Sequence, residues 1–143
     1  MSRKPAPPKP APILALDLGS STIRAALVVD GRPQIVELAP PESGLRAVVG
    51  VDGETLALGD IARRLALSEP RAQVFAPGRL AGARYELSAL EGDRWQLVPV
   101  ERGPGGDVHA RLAGEAWPVP RMLGALLRRA NEAIGAKIER LPA

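Results

Sequence analysis

The sequence predicts a mixed α/β fold, in which short strands joined by tight turns are followed by one long helix. Three observations support this fold class: β-branched and apolar runs separated by Asp-Gly turns, one amphipathic stripe after Pro120, and a composition with 45% hydrophobic and 24% charged residues. The 143 residues suffice for one domain or for part of a larger one. We therefore do not expect a complete bilobal enzyme.

The N-terminal part of the chain predicts a tail and then three strands. Residues 1–12 are interrupted by repeated Pro, which blocks helix formation and strand pairing and predicts a disordered tail. Residues 13–16 form a continuous apolar run, typical of a strand buried on both faces. Residues 22–29 and 33–38 predict two further strands, joined by a type I′ turn at Asp30-Gly31.

The middle of the chain predicts a second hairpin and a short helix. Residues 39–45 contain Pro and Gly and predict a loop. Two short apolar segments, 47–51 and 54–58, flank the Asp52-Gly53 turn and predict a hairpin. Residues 59–68 have apolar side chains at helical spacing and stop before Pro70, so a short amphipathic helix is expected there.

The C-terminal part predicts a small meander and the longest helix. Residues 94–100, 107–112 and 115–119 have the β-branched and aromatic character of short strands around a Gly-rich loop. Pro120 then opens a helix that we expect to end at Gly135. Its apolar stripe consists of Met122, Leu123, Leu126, Leu127, Ala130 and Ile134.

The composition also limits the chemistry and the compartment. The chain has no cysteine, which excludes disulfides and thiolate chemistry and favours a reducing, cytoplasmic location. The 19 basic residues are interleaved with 16 acidic ones and aromatic residues are only 3%, so no nucleic-acid partner is expected. Because no apolar run is long enough for a signal peptide or a membrane span, no membrane partner is expected either.

The chemically informative stretch is the first apolar strand, which leads to Asp17 and a Gly-Ser-Ser-Thr turn. A carboxylate at the end of a buried strand is costly to desolvate unless it is paired, and a cation-bound water beside a polyphosphate would pair it. Gly19 lets the backbone approach an anion, and Ser20, Ser21 and Thr22 offer N–H and hydroxyl donors. These residues predict a phosphate-binding hairpin; an Asp17 satisfied by turn amides is the structural alternative.

This hairpin resembles the first phosphate motif of the heat shock protein 70 (DnaK-type) chaperones, members of the actin-like ATPase superfamily. A second block has the order and near spacing of the same family and separates it from actin and sugar kinases. The block consists of Asp52-Gly53-Glu54-Thr55-Leu56, Gly59, Ala62, Arg64, Pro70, Val74-Phe75-Ala76 and Arg79-Leu80, Gly82 and Arg84-Tyr85. The resemblance thins through residues 86–117, resumes at the helix, and ends at residues 141–143.

The resemblance implies an incomplete actin-like (ribonuclease H-like) half-lobe, about the first quarter of a family member. Residues 13–143 would then hold the subdomain IA strands (13–38), a subdomain IB-like region (about 39–119) and the helix 120–135. It also implies ATP or ADP with Mg²⁺ as cofactor, and unfolded polypeptides and co-chaperones as partners. Only residues 137–141 could flank the first strand, so we expect an exposed apolar edge, with self-association or a completing protein partner.

Carried over by position, Asp17 would contact Mg²⁺ through water, while Gly19, Ser20, Ser21 and Thr22 would hold the β- and γ-phosphates. The family places a cationic Lys where this chain has Gly78, so no catalytic residue is assigned. Losing such a group typically costs about 100- to 1,000-fold in rate. In an extended segment, the adjacent Arg79 should point elsewhere.

Three functions follow from these residues. The first is an ATP-binding chaperone of the heat shock protein 70 type, whose ATPase activity the Gly at position 78 leaves undecided. The second is a degenerate, non-catalytic interaction module derived from that fold, and the third is another actin-like relative such as a filament or cell-shape protein. Outside the motif, His109 is expected to be exposed or at a sheet edge rather than a metal ligand. Trp95 and Trp117 are expected to anchor the packing of the meander.

Overall fold

Four strands of the N-terminal region pair antiparallel into the first sheet of this computed structural model, which describes residues 12–86 and 98–140. β2 is the central strand, with β1 on one side and β3 and β4 on the other. The strands are β1 (Ile13–Leu18), β2 (Thr22–Val29), β3 (Arg32–Val36) and β4 (Leu45–Arg46). The predicted turn between β2 and β3 is confirmed, because Asp30 and Gly31 both have positive φ, 50° and 75°, as a type I′ turn requires.

The second sheet contains the predicted hairpin and carries the short helix. β5 (Val48–Asp52) lies between β6 (Thr55–Leu58) and β7 (Gln73–Phe75), and both neighbours are antiparallel to it. Helix α1 (Asp60–Leu65) packs on β5, where an added Cβ on Gly50 would lie 3.4 Å from the Cβ of Ala62. The same added Cβ would lie 3.0 Å from the Ala72 carbonyl oxygen, so the tight packing at this position favours a glycine in β5.

The third sheet is the predicted meander, and it leads directly into the long helix. It is composed of β8 (Val100–Arg102), β9 (Val108–Leu112) and β10 (Glu115–Pro118), with β9 in the centre. Trp117 is buried in β10 and the guanidinium of Arg121 lies 4.5 Å from its ring centroid, so its predicted packing role is confirmed. Trp95 and most of the predicted strand 94–100 lie outside the described residues.

Helix α2 (Val119–Ile138) supplies much of the core. Met122, Leu126, Ala130 and Ile134 recur at the spacing of one helix face and are all buried, which confirms four members of the predicted stripe. Leu123 is only half-buried, and the prediction is wrong for Leu127, which is exposed. The predicted end at Gly135 is wrong, because the helix continues to Ile138 and the Glu139 N–H donates to the Gly135 carbonyl. No residue from 137 to 140 forms a strand, and residues 141–143 lie outside the described part, as do residues 1–11 of the predicted tail.

The first strand differs from its prediction. All six residues of β1 are exposed, with Ile13 at 66% and Leu18 at 60%, so burial on both faces is wrong for this chain. Among the described residues, β1 pairs only with β2, and its side chains are exposed on both faces. The apolar composition that predicted a buried strand therefore produces the exposed apolar edge that we expected from the family comparison. In the described part of the chain, no helix is long and apolar enough to cross a membrane.

Candidate functional site

The predicted phosphate hairpin is the turn between β1 and β2. Leu18 pairs with Ile23, so Gly19, Ser20 and Ser21 form the connection. An added Cβ on Gly19 would lie 2.6 Å from the carbonyl oxygen of Thr22, which is too close for any side chain. Gly19 is thus required by the close approach of the turn to its own backbone.

Asp17 lies in β1, opposite Arg24 of β2. The Asp17 Oδ2 and Arg24 Nη1 atoms are 3.9 Å apart, and both side chains are more than half exposed. A pair this open contributes little to stability, since exposed ion pairs are worth about 0–1 kcal/mol. The expected cost of desolvating the Asp17 carboxylate is absent, because the strand that carries Asp17 is exposed. The carboxylate is accessible to solvent.

Ser20 and Ser21 are exposed and line a cleft of about 370 Å³. Phe75, Ala76 and Arg79 line the same cleft. Asp17, Gly19 and Thr22 do not line this cleft, so the structure brings two of the five predicted site residues to it.

Two backbone hydrogen bonds hold the walls of the cleft together. The Ala47 N–H donates to the Ser21 carbonyl at 2.9 Å, and the Ala76 N–H donates to the Ala47 carbonyl at 2.8 Å. Ala47 therefore links the hairpin turn to the segment after β7. Because Ala47 is buried and both of its backbone groups are bonded, this link brings Ser21 and Ala76 close to the same residue.

Residues 77–80 form a 3₁₀ helix rather than the expected extended segment. Pro77 is at its first turn, where the missing N–H costs nothing, and Ala76 precedes it in the left-handed conformation (φ 47°, ψ 52°). This reversal directs Arg79 to the cleft of Ser20 and Ser21. The expectation that Arg79 points elsewhere is therefore wrong. Gly78 is exposed, does not line the cleft, and has nothing within 4 Å of an added Cβ.

Two cleft residues were missed from the sequence. Arg46 of β4 and Arg63 of α1 line the same cleft as Arg79, although they are separated along the chain. Arg46 donates its Nε to Asp60 Oδ1 at 2.7 Å, which holds its guanidinium at the cleft. Arg63 lies on the exposed side of the helix. No local motif marks either residue, because only the pairing of β4 with β2 and the packing of α1 bring them to the turn.

His109 differs from its prediction in position. It lies in the central strand β9 with its side chain 13% exposed, so it is neither exposed nor at an edge. Its Nε2 is 3.1 Å from Asp107 Oδ2, and an added Cβ on Gly103 would clash with both side chains. In residues 12–86 and 98–140, no group of three or more His, Asp or Glu side chains could hold a metal ion.

Comparison with known proteins confirms the resemblance to the heat shock protein 70 chaperones, because the chain is similar to several DnaK proteins over their N-terminal nucleotide-binding region. No protein-family model matches the chain. The chaperone protein DnaK of Deinococcus proteolyticus is 30% identical over 132 residues, which cover 90% of this chain and 21% of the relative. DnaK of Thermus thermophilus is 31% identical over 135 residues and that of Deinococcus radiodurans 28% over 128. The chain thus spans about a fifth of the length of these relatives.

Proposed function

We propose that this chain provides the first phosphate-binding hairpin of an ATP-binding chaperone domain of the heat shock protein 70 type. The observation that carries the proposal is the position of Ser20 and Ser21, whose turn lines a cleft together with Arg79. Hydroxyl groups and a guanidinium are strong donors to phosphate oxygens. The similarity to DnaK over 90% of the chain supports ATP or ADP as the ligand.

The domain assignment is part of this proposal. Residues 13–143 would correspond to the beginning of an actin-like nucleotide-binding domain, with subdomain IA strands in 13–38, a subdomain IB-like region at about 39–119, and the helix 120–135. The mixed α/β architecture with antiparallel sheets is compatible with this assignment. Unfolded polypeptides and co-chaperones would be partners of the complete domain.

Mg²⁺ fits the site only through water. A single exposed carboxylate, Asp17, is near the turn, and the described residues contain no cluster that could ligate a metal directly. A hydrated Mg²⁺ keeps several waters and is commonly held by one carboxylate together with substrate phosphates. When bound, the ion would neutralise phosphate charge, while Asp17 would orient its water shell and Ser20 and Ser21 would donate to phosphate oxygens.

The exposed apolar edge supports a second element of the proposal, a protein segment that covers β1. Four apolar side chains of this strand, Ile13, Leu14, Leu16 and Leu18, are open to solvent. Unpaired strand edges of this kind recruit other strands. We propose that a completing partner segment or a second copy of the chain pairs with β1.

Calorimetric titration with Mg-ATP tests the nucleotide proposal. Weak binding is expected, since this chain supplies one wall of the site, and Asp17→Asn should reduce it while the outward Asp52→Asn control, at the β5–β6 turn, should not. Binding that is unaffected by Asp17→Asn would contradict the role of this residue. Complete absence of Mg-ATP binding would contradict the function.

The degenerate interaction module is the second candidate, favoured by Gly78 in place of the family's Lys. The two candidates differ in ATP turnover, which only an ATPase shows. An added side chain at position 78 meets nothing within 4 Å, so Gly78→Lys should fold normally. Turnover that appears in the Gly78→Lys variant but not in the parent chain would mean that the parent is an ATPase that has lost its catalytic Lys. Mg-ATP binding without turnover in either chain would favour the interaction module.

A further inference from the structure

The cleft beside the hairpin has a charge distribution that the phosphate motif alone does not explain. Three arginines line it, and they come from three different elements: Arg46 from β4, Arg63 from α1 and Arg79 from the 3₁₀ helix. No carboxylate is among its lining residues in the described part of the chain. Part of the Arg46 charge is balanced locally, because its Nε lies 2.7 Å from Asp60 Oδ1, but the lining of the cleft remains basic.

We propose that this cleft is a polyphosphate site in which Arg46, Arg63 and Arg79 bind the anion directly. The inference rests on the proposed function in one respect, since the natural ligand would be the polyphosphate of a nucleotide. It goes further because it assigns the cationic contacts with the phosphate groups to three arginines. It also separates phosphate binding from the position of Gly78, which lies outside the cleft.

The three arginines reach the cleft from three different elements of the fold. Ala47 connects the turn to the Ala76 segment through its N–H and its carbonyl, so the arginines on either side of it share one cleft. Arg46 uses one of its five donors on Asp60. Guanidinium groups have a planar, forked donor set that matches phosphate oxygens, which makes arginine more specific for phosphate than a point charge.

The size of the cleft limits the ligand to one small polyanion. Its volume of about 370 Å³ is at the lower end of the range of about 300–1,000 Å³ that is typical of small-molecule sites. The hydroxyls of Ser20 and Ser21 add neutral donors to the charged ones. A polyphosphate chain fits this combination better than a carboxylate or an apolar ligand does.

Equilibrium titration of the full chain with inorganic tripolyphosphate, in the absence of divalent metal, tests the inference. We expect saturable binding that weakens as the salt concentration rises. Arg63→Gln and Arg79→Gln should each weaken it about tenfold, since a charged hydrogen bond is worth about 1.5–3 kcal/mol. Arg71→Gln removes the same charge from an exposed position outside the cleft and should change the affinity less than twofold.

The variants Arg79→Lys and Asp17→Asn distinguish this inference from the proposed function. Arg79→Lys keeps the charge, and its affinity should lie between those of the parent and Arg79→Gln. Tripolyphosphate binding that depends on Arg63 and Arg79 while Mg-ATP does not bind would uphold the cleft and refute the nucleotide proposal. Mg-ATP binding that depends on Asp17 but not on the arginines would overturn the cleft and leave the nucleotide proposal standing. No tripolyphosphate binding, or equal losses in the Arg71 control, would also overturn it.

Discussion

Replacing Gly19 by Ala is the most direct test of the hairpin geometry. The added Cβ would lie 2.6 Å from the Thr22 carbonyl oxygen, well inside the separation of about 3.5–4.0 Å that non-bonded atoms prefer. The turn must therefore shift by roughly 1 Å, since the contact is with backbone and cannot be relieved by rotating a side chain. Forced shifts of this kind cost about 1–3 kcal/mol. We expect Gly19→Ala to lower the free energy of unfolding by that amount.

Gly124→Ala is the matched control, because the same methyl group has the opposite effect there. Gly124 lies on the exposed side of α2, and nothing is within 4 Å of its added Cβ. Alanine is preferred over glycine in a helix interior by about 1 kcal/mol, so this variant should be more stable. Urea unfolding followed by circular dichroism measures both changes. Equal stability of Gly19→Ala and the parent chain would refute the close approach of the turn.

Three further predictions concern the core, the backbone at the cleft and the open edge. Met122→Ala should lower the free energy of unfolding in urea by about 2–5 kcal/mol, because Met122 is fully buried in the core; a smaller loss would mean that the core collapses around the site. Ala76→Gly should raise the stability by about 0.5–1 kcal/mol, since glycine relieves the left-handed conformation at φ 47° but gains entropy on unfolding; a loss in the same urea experiment would contradict this conformation. Leu16→Lys should reduce self-association in sedimentation velocity if a second copy covers β1, and unchanged sedimentation would exclude that occupant.

Much of the fold could be predicted because its signals are local. Asp30-Gly31 and Asp52-Gly53 mark the two hairpins, and the apolar spacing of α2 marks its buried face. The burial of β1 could not be predicted from the same kind of signal. A continuous apolar run is typical of a strand that is covered on both faces, while the burial of a strand depends on which elements pack against it.

The candidate site also combines residues that a local motif predicts with residues that only the fold brings together. The hairpin motif identified Ser20 and Ser21 correctly as residues of one turn, because they are adjacent in the sequence. Arg46 and Arg63 could not be found, since their arrival at the cleft depends on strand pairing and helix packing across the chain. Arg79 was misplaced because its segment was expected to be extended, whereas Pro77 begins a 3₁₀ helix there.

The position of Arg79 changes what the glycine at position 78 means for this protein. The Lys that the family has at the position of Gly78 would position the attacking water. Gly78 itself does not line the cleft. Binding of a phosphate chain requires hydrogen-bond donors and positive charge near the turn, and three arginines line the cleft there. In the proposed site, affinity and turnover would therefore depend on different residues. A chain built in this way can retain an anion-binding hairpin after the catalytic group has been lost, and only separate measurements of polyphosphate binding and ATP turnover can distinguish the two properties.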